Sequence, residues 1–164
     1  MEIDRALGWL QATPVAKAIS ENEILFPWIE SVHVLAIVLV VGTISIVDLR
    51  LLGVASLDRA VSRLMNEVLP YTWGASVVAA ITGSLMFSSD AVNYAHNFFF
   101  RGKLVLLALA GLNMAVFHLV GVGNIARWGV TRQTPWSAKA VAAISLLMWM
   151  AVVAFGRGIG FTMH

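Results

Sequence analysis

The chain has 164 residues, 59% of them hydrophobic and 12% charged, with a formal net charge of +2; an ordinary soluble domain is roughly half apolar and about a quarter charged. So little polar side chain cannot cover a water-facing surface, and a mean hydropathy of +0.83 suits a chain whose solvent is mostly lipid. Cysteine is absent, which excludes disulfides, thiolate metal sites and redox thiols, and the Lys and Arg residues form no run that would track a phosphate backbone, which argues against a nucleic-acid partner.

The lead, residues 1–26, lacks the basic start and small-residue cleavage site of a signal peptide, so it is expected to be retained. Ile3, Leu7 and Leu10 fall at helical spacing, after which Thr13 offers an N-cap and Pro14 the first helical position. This pattern predicts two short amphipathic helices lying at the membrane interface. Trp9 and Trp28 suit that depth, because an indole has an apolar body and one N–H to leave in the wet layer.

Four stretches are long and apolar enough to cross a hydrocarbon core of about 30 Å, which takes roughly 20 helical residues. They are 27–47, 68–88, 98–120 and 138–155. The expected fold is therefore all-α, an integral membrane four-helix bundle over 27–164 with an interfacial amphipathic lead. The remaining loops, about 10 to 20 residues each, are too short to form a core of their own, which leaves no soluble catalytic domain. Gly42, Ala79, Gly83, Ala110, Gly111 and Ala142 recur inside the spans, where small residues let helices approach closely or leave room for a flat ligand.

Orientation follows from basic residues near the helix ends. Arg50, Arg59, Arg63, Arg127, Arg132 and Lys139 lie on one side, against Arg5, Lys17, Arg101, Lys103 and Arg157 on the other. The first set is larger, and of the second Arg5 and Lys17 belong to the lead and Lys103 falls inside a span. Both termini are expected outside.

Ionisable groups inside a span cost several kcal/mol unless paired, hydrated or ligated, so they mark candidate sites. In the first span Glu30 and His33 are three apart, hence neighbours on one face, and Asp48 returns to that stripe about five turns after Glu30. His33 lies about 9 Å past Pro27 along the helix axis. It can be structural, donating to a carbonyl or to Glu30. It can also ligate haem iron or copper, with Glu30 fixing the ring tautomer, or relay protons.

If the third helix starts ahead of its span, His96, Lys103, Met114 and His118 share a broad stripe. Lys103 can snorkel to the interface, and Asn113, near mid-membrane, can bond a neighbouring helix. His118 comes about 30 Å after Phe98, too deep to share a metal with His33, whereas His96 lies at the outer rim on the same side as His33. Met86, Met163 and His164 also fall on that side. With Glu30, His33 and His96 they make an N, O and S donor set that suits copper or a haem axial pair.

Asp48 and Arg50 mark the inner end of the first span, as a salt bridge, a loop anchor, or a proton or quinone site. Arg157, just past the fourth span, can cap carbonyls, pair with Glu30 or hold a haem propionate. There is no phosphate loop, nucleophile elbow or metalloprotease His pair, which removes hydrolase and nucleotide-driven pump readings.

These residues resemble an uncharacterised family of bacterial four-helix membrane proteins, a domain of unknown function. The likeness runs through "ATPVAKAISENEILFPWIESVHVLAIVLVVGTISIVDLRLLG", "KLVLLALAGLNMAVFH" and "FGRGIGF". More distantly, a His early in the first span, an apolar run and Gly, with Lys opening the third span, is similar to the copper-resistance D group and its haem-binding relatives. That likeness implies copper uptake or b-type haem chemistry at His33, with Lys103 nearby. The chain departs from a two-haem cytochrome b in lacking paired His on the inner side, so one haem is the most that fits.

The leading expectation is a bacterial inner-membrane protein with an outer-leaflet site around His33 for one haem b or a copper ion. It would serve electron or metal transfer with a periplasmic or membrane redox or metal partner. The rival is a structural or partner-binding subunit of a larger membrane complex, or a homo-oligomer, in which His33 and Glu30 only bond helices together.

Overall fold

A computed structural model describes residues 2–125 and 134–162, with the side chains of His118 and of 120–125 left aside. The described chain is helical throughout, without a strand: α1 Glu2–Gln11, α2 Pro14–Glu21, α3 Leu25–Leu52, α4 Val61–Ser89, α5 Ala91–His96, α6 Phe98–Ile125 and α7 Trp136–Thr162. Four of these, α3, α4, α6 and α7, are long and apolar enough to cross a membrane. Arg127, Arg132, Met163 and His164 lie outside the described residues.

Each span buries one narrow stripe and leaves the rest of its apolar surface outward. On α3 the stripe runs through Ala36, Val40, Asp48 and Leu51. It continues on α4 through Leu64, Ala75, Ala79 and Thr82, and on α7 through Ala138, Ala142, Ser145, Val152 and Ile159. Leu35, Val38, Ile81, Leu112, Leu147 and Met150 are exposed, as side chains facing acyl tails should be. The buried residues are mostly small because lipid is as apolar as Leu, so the helices gain by close backbone approach and not by hiding area.

The spans pack in the order α4, α3, α7, α6, and α4 makes no extensive contact with α6. Hydroxyl and amide bonds tie neighbours together. Thr72 of α4 donates to Thr43 of α3 at 2.9 Å, and Asn113 of α6 donates to the Val141 carbonyl of α7 at 3.3 Å. At the far end Leu51, Val61, Ala138 and Ala142 form a small core with Val47, Met65 and Phe117 against it.

Glycine and phenylalanine interlock α6 with α7. A Cβ on Gly102 would stand 2.3 Å from the Phe155 ring, and one on Gly158 would stand 2.5 Å from the Phe99 ring. Each helix thus inserts a ring where the other has no side chain. Phe98 joins both rings in an edge-packed trio.

The spans exceed the stretches marked by hydropathy, for separate reasons. α3 continues past Val47 because Asp48 and Arg50 are buried, and it stops at Gly53, whose φ of 81° is left-handed while Val54 N–H bonds the Leu49 carbonyl. α4 begins at Val61 with a polar outer face, on which Arg63 and Glu67 pair at the i, i+4 spacing. α7 runs through Gly156, Gly158 and Gly160.

Thr13 caps α2 from an extended conformation, its hydroxyl accepting from Ala16 N–H, with Pro14 in the first turn. α2 buries Ala16 and Ile19 and packs mainly on α4, while α1 rests mainly on α5. Gly102→Ala should lower stability by about 1–3 kcal/mol through overpacking, whereas Gly42→Ala, with open space around it, should be neutral or slightly stabilising. Thermal unfolding of the two variants in mild detergent compares them directly.

Candidate functional site

α3 begins, α4 ends, α6 begins and α7 ends at the same end of the bundle, where α1, α2 and α5 also gather. The levels are pinned there: Asn97, just before α6, donates to the Thr162 hydroxyl at the end of α7, 2.8 Å away. One turn or two inward from this end sit two ionisable side chains that are only partly exposed.

The first is His33. Its Nδ1 lies 2.9 Å from the Thr82 hydroxyl, and that hydroxyl donates at 2.7 Å to the Val78 carbonyl of its own helix. Thr82 has one proton and it is already used, so His33 Nδ1 carries the N–H and Nε2 carries the lone pair. The Cε1 edge of the ring packs against Gly83, where a Cβ would come within 3.0 Å of it.

The second is Lys103 of α6. Its ammonium lies along Gly156 of α7, where a Cβ would meet Nζ at 3.7 Å, and within electrostatic reach of the His33 imidazole. All four spans therefore contribute at one level: His33, Thr82 with Gly83, Lys103 and Gly156. Above them Phe87 stacks on Phe100 at 5.2 Å with Tyr94 tilted against both, so an aromatic roof joins the end of α4 to the start of α6 across the unpacked side.

The other candidate residues stand apart from this pair. Glu30 is exposed, and its electrostatic neighbour is Tyr94, whose phenol is raised above its ordinary value by burial and then by the Glu30 and Asp90 carboxylates. The tautomer-fixing partner is thus Thr82. Met86 lies one turn above Thr82 on α4, half-buried. His96, on α5, bonds Asp4 of α1 at 2.9 Å. Arg157 is exposed and lies over the Phe161 ring at 5.0 Å.

At the opposite end Asp48 is 6% exposed and Arg50 is 4% exposed. They do not pair with each other: Arg50 Nε donates to the Arg59 carbonyl at 2.7 Å, which anchors the loop, and Asp48 faces Ser145 of α7. Asp48 Oδ2 is buried with no hydrogen-bond partner among the described residues. His118 belongs to the same inward half of α6, and its side chain is outside the described set.

A family model described as "Family of unknown function (DUF6644)" matches residues 18–162. The chain belongs to that family. No curated protein and no solved structure matches it. The matched range of this DUF6644 member takes in all four spans and every residue of the His33 and Lys103 level, while α1 precedes it.

Thr82, Gly83 and Gly156 are the residues of this level that the sequence alone did not single out as such. A hydroxyl at the i−1 position to a glycine in an apolar span is a weak signal, and only the facing helix reveals what it serves.

The tie between α1 and α5 has a defined pH range. The bond from His96 is the largest influence lowering the Asp4 carboxyl, from 3.8 to about 2. A depressed carboxylate contributes stability that is complete above its unfolded value and is lost as pH falls through the folded one. Docking of α1 should therefore persist down to about pH 4 and weaken towards pH 2, and Asp4→Asn should weaken it at neutral pH. Hydrogen exchange of α1 in detergent measures both.

Proposed function

We propose that this chain is a bacterial inner-membrane protein, both termini outside, that holds one haem b at His33 near the outer leaflet and serves electron transfer. The single observation supporting the reading is the Thr82 bond, which is satisfied by a proton on Nδ1 and so by a lone pair on Nε2. Metal-ligating histidines characteristically donate their other N–H in this way.

The donor set bears on which group fits. A protein-held copper ion takes several protein ligands, and among the described residues no three His, Asp or Glu side chains converge. One imidazole nitrogen suffices for a haem iron, so the described residues fit haem better than copper. His33 would supply the axial nitrogen, Gly83 keeps the imidazole against α4, and the roof of Phe87, Tyr94 and Phe100 shields that level from the water outside. The bound haem would supply one-electron chemistry. Copper at His33 is the alternative metal.

A second reading has its own support. The His33 ring is already bonded and packed between α3 and α4, which is enough to make it a helix-to-helix tie in a subunit that binds partners.

The two are separated by the absorption spectrum of the full chain purified in mild detergent. Haem binding gives a Soret band that His33→Ala abolishes, while Thr82→Val, which removes the orienting acceptor, should weaken binding by about 10- to 100-fold. A colourless, metal-free preparation that co-purifies with other membrane subunits supports the second reading. Stoichiometric copper in a colourless sample supports the metal alternative.

A further inference from the structure

We propose that Lys103 is the anchoring charge for an acidic group on the ligand held at His33, a haem propionate, on the side of the bundle where α4 and α6 share no extensive contact. This rests on His33 being a haem ligand and adds the residue that would select the acid form of the haem.

Lysine near a membrane surface ordinarily extends its ammonium out to water, and the geometry here is different. Lys103 lies about 7.5 Å inward of Phe98 along α6, and Gly156 lies about 9 Å inward of Thr162 along α7, at 1.5 Å per residue. Asn97 and Thr162 are bonded, so the two helix ends are level and Nζ beside Gly156 has not climbed towards the surface. The side chain lies across the bundle at its own depth, with Cδ, Cε and Nζ all along the bare backbone of Gly156.

At that depth the ammonium has no carboxylate partner among the described residues. The ion pairs among the described residues join Arg59 and Arg63 to Glu67, and His96 to Asp4. Glu30 is exposed on α3 and Asp48 is at the other end. A cation inside a span is costly without a counter-charge, and the titratable neighbour it does have, His33, is another base. Among the described residues the site lacks an anion, and what it presents is a nitrogen lone pair and an ammonium at one level, under an aromatic roof, on the side where α4 and α6 share no extensive contact. A planar ligand with a metal to bind His33 and a carboxylate to meet Lys103 satisfies both.

The experiment titrates the purified full chain, freed of bound pigment, with haem b and with its dimethyl ester, following the Soret band. The acid form should bind about tenfold or more tightly than the ester, the scale of one hydrogen bond to a charged group. Lys103→Met should bring the two affinities together, and Lys103→Arg should restore most of the preference; His33→Ala should abolish the spectrum with either ligand. Equal affinities for acid and ester in the unaltered chain overturn the Lys103 proposal while leaving the His33 reading intact, and need no variant to fold. A preference that survives in Lys103→Met overturns it as well. Failure of the unaltered chain to bind either ligand overturns both readings together.

Discussion

The whole arrangement depends on how closely helix backbones can approach in a solvent that gives them little reason to associate. Water drives apolar side chains together, but lipid does not, so these four spans are joined by contacts that only small residues permit. Ala36, Ala75 and Ala79 between α3 and α4, and Ala138, Ala142 and Ser145 along α7, are buried, while the large aliphatic residues of the same helices point outward. At these seams the Thr43 and Thr82 hydroxyls bond back to their own carbonyls and still accept across the seam, Thr43 from the Thr72 hydroxyl and Thr82 from the His33 ring. A hydroxyl is well suited to this, since it neither leaves a backbone group unsatisfied nor brings a charge into the lipid.

Close approach also explains what the sequence made legible and what it did not. The spans announce themselves, because a run of some 20 apolar residues has few other readings, and Thr13 with Pro14 marks the start of α2 by local chemistry alone. The ends of the spans are harder. Hydropathy stops at Asp48, yet α3 continues because that carboxylate is turned inward; it stops at Gly156 too, yet α7 continues because Lys103 and Phe99 fill the space its glycines leave. Helix breakers act as such only where nothing packs on them.

The candidate site was half readable for the same reason. His33 and Lys103 stand out as ionisable groups in apolar runs, and spacing alone paired His33 with Glu30, its neighbour one turn away on the same helix. The structure gives the ring a partner on α4 and leaves Glu30 outside, beside Tyr94. Spacing within one helix reports which residues share a face, whereas which face meets which neighbour depends on a packing order, α4, α3, α7, α6, that does not follow the chain.

Four glycines in this protein do one physical job with two outcomes. Gly102 and Gly158 admit phenyl rings, and the result is a dry, interlocked seam between α6 and α7. Gly83 and Gly156 admit an imidazole and an alkylammonium at a common level, and the result is a polar pair held inside a membrane span. If close packing were the only requirement there, an apolar ring or a leucine against each glycine would supply it without the expense of a desolvated charge. Two of the four glycine seats thus hold nitrogen bases at one level, with no carboxylate partner for Lys103 among the described residues, and it is this placement that the proposed ligand rests on.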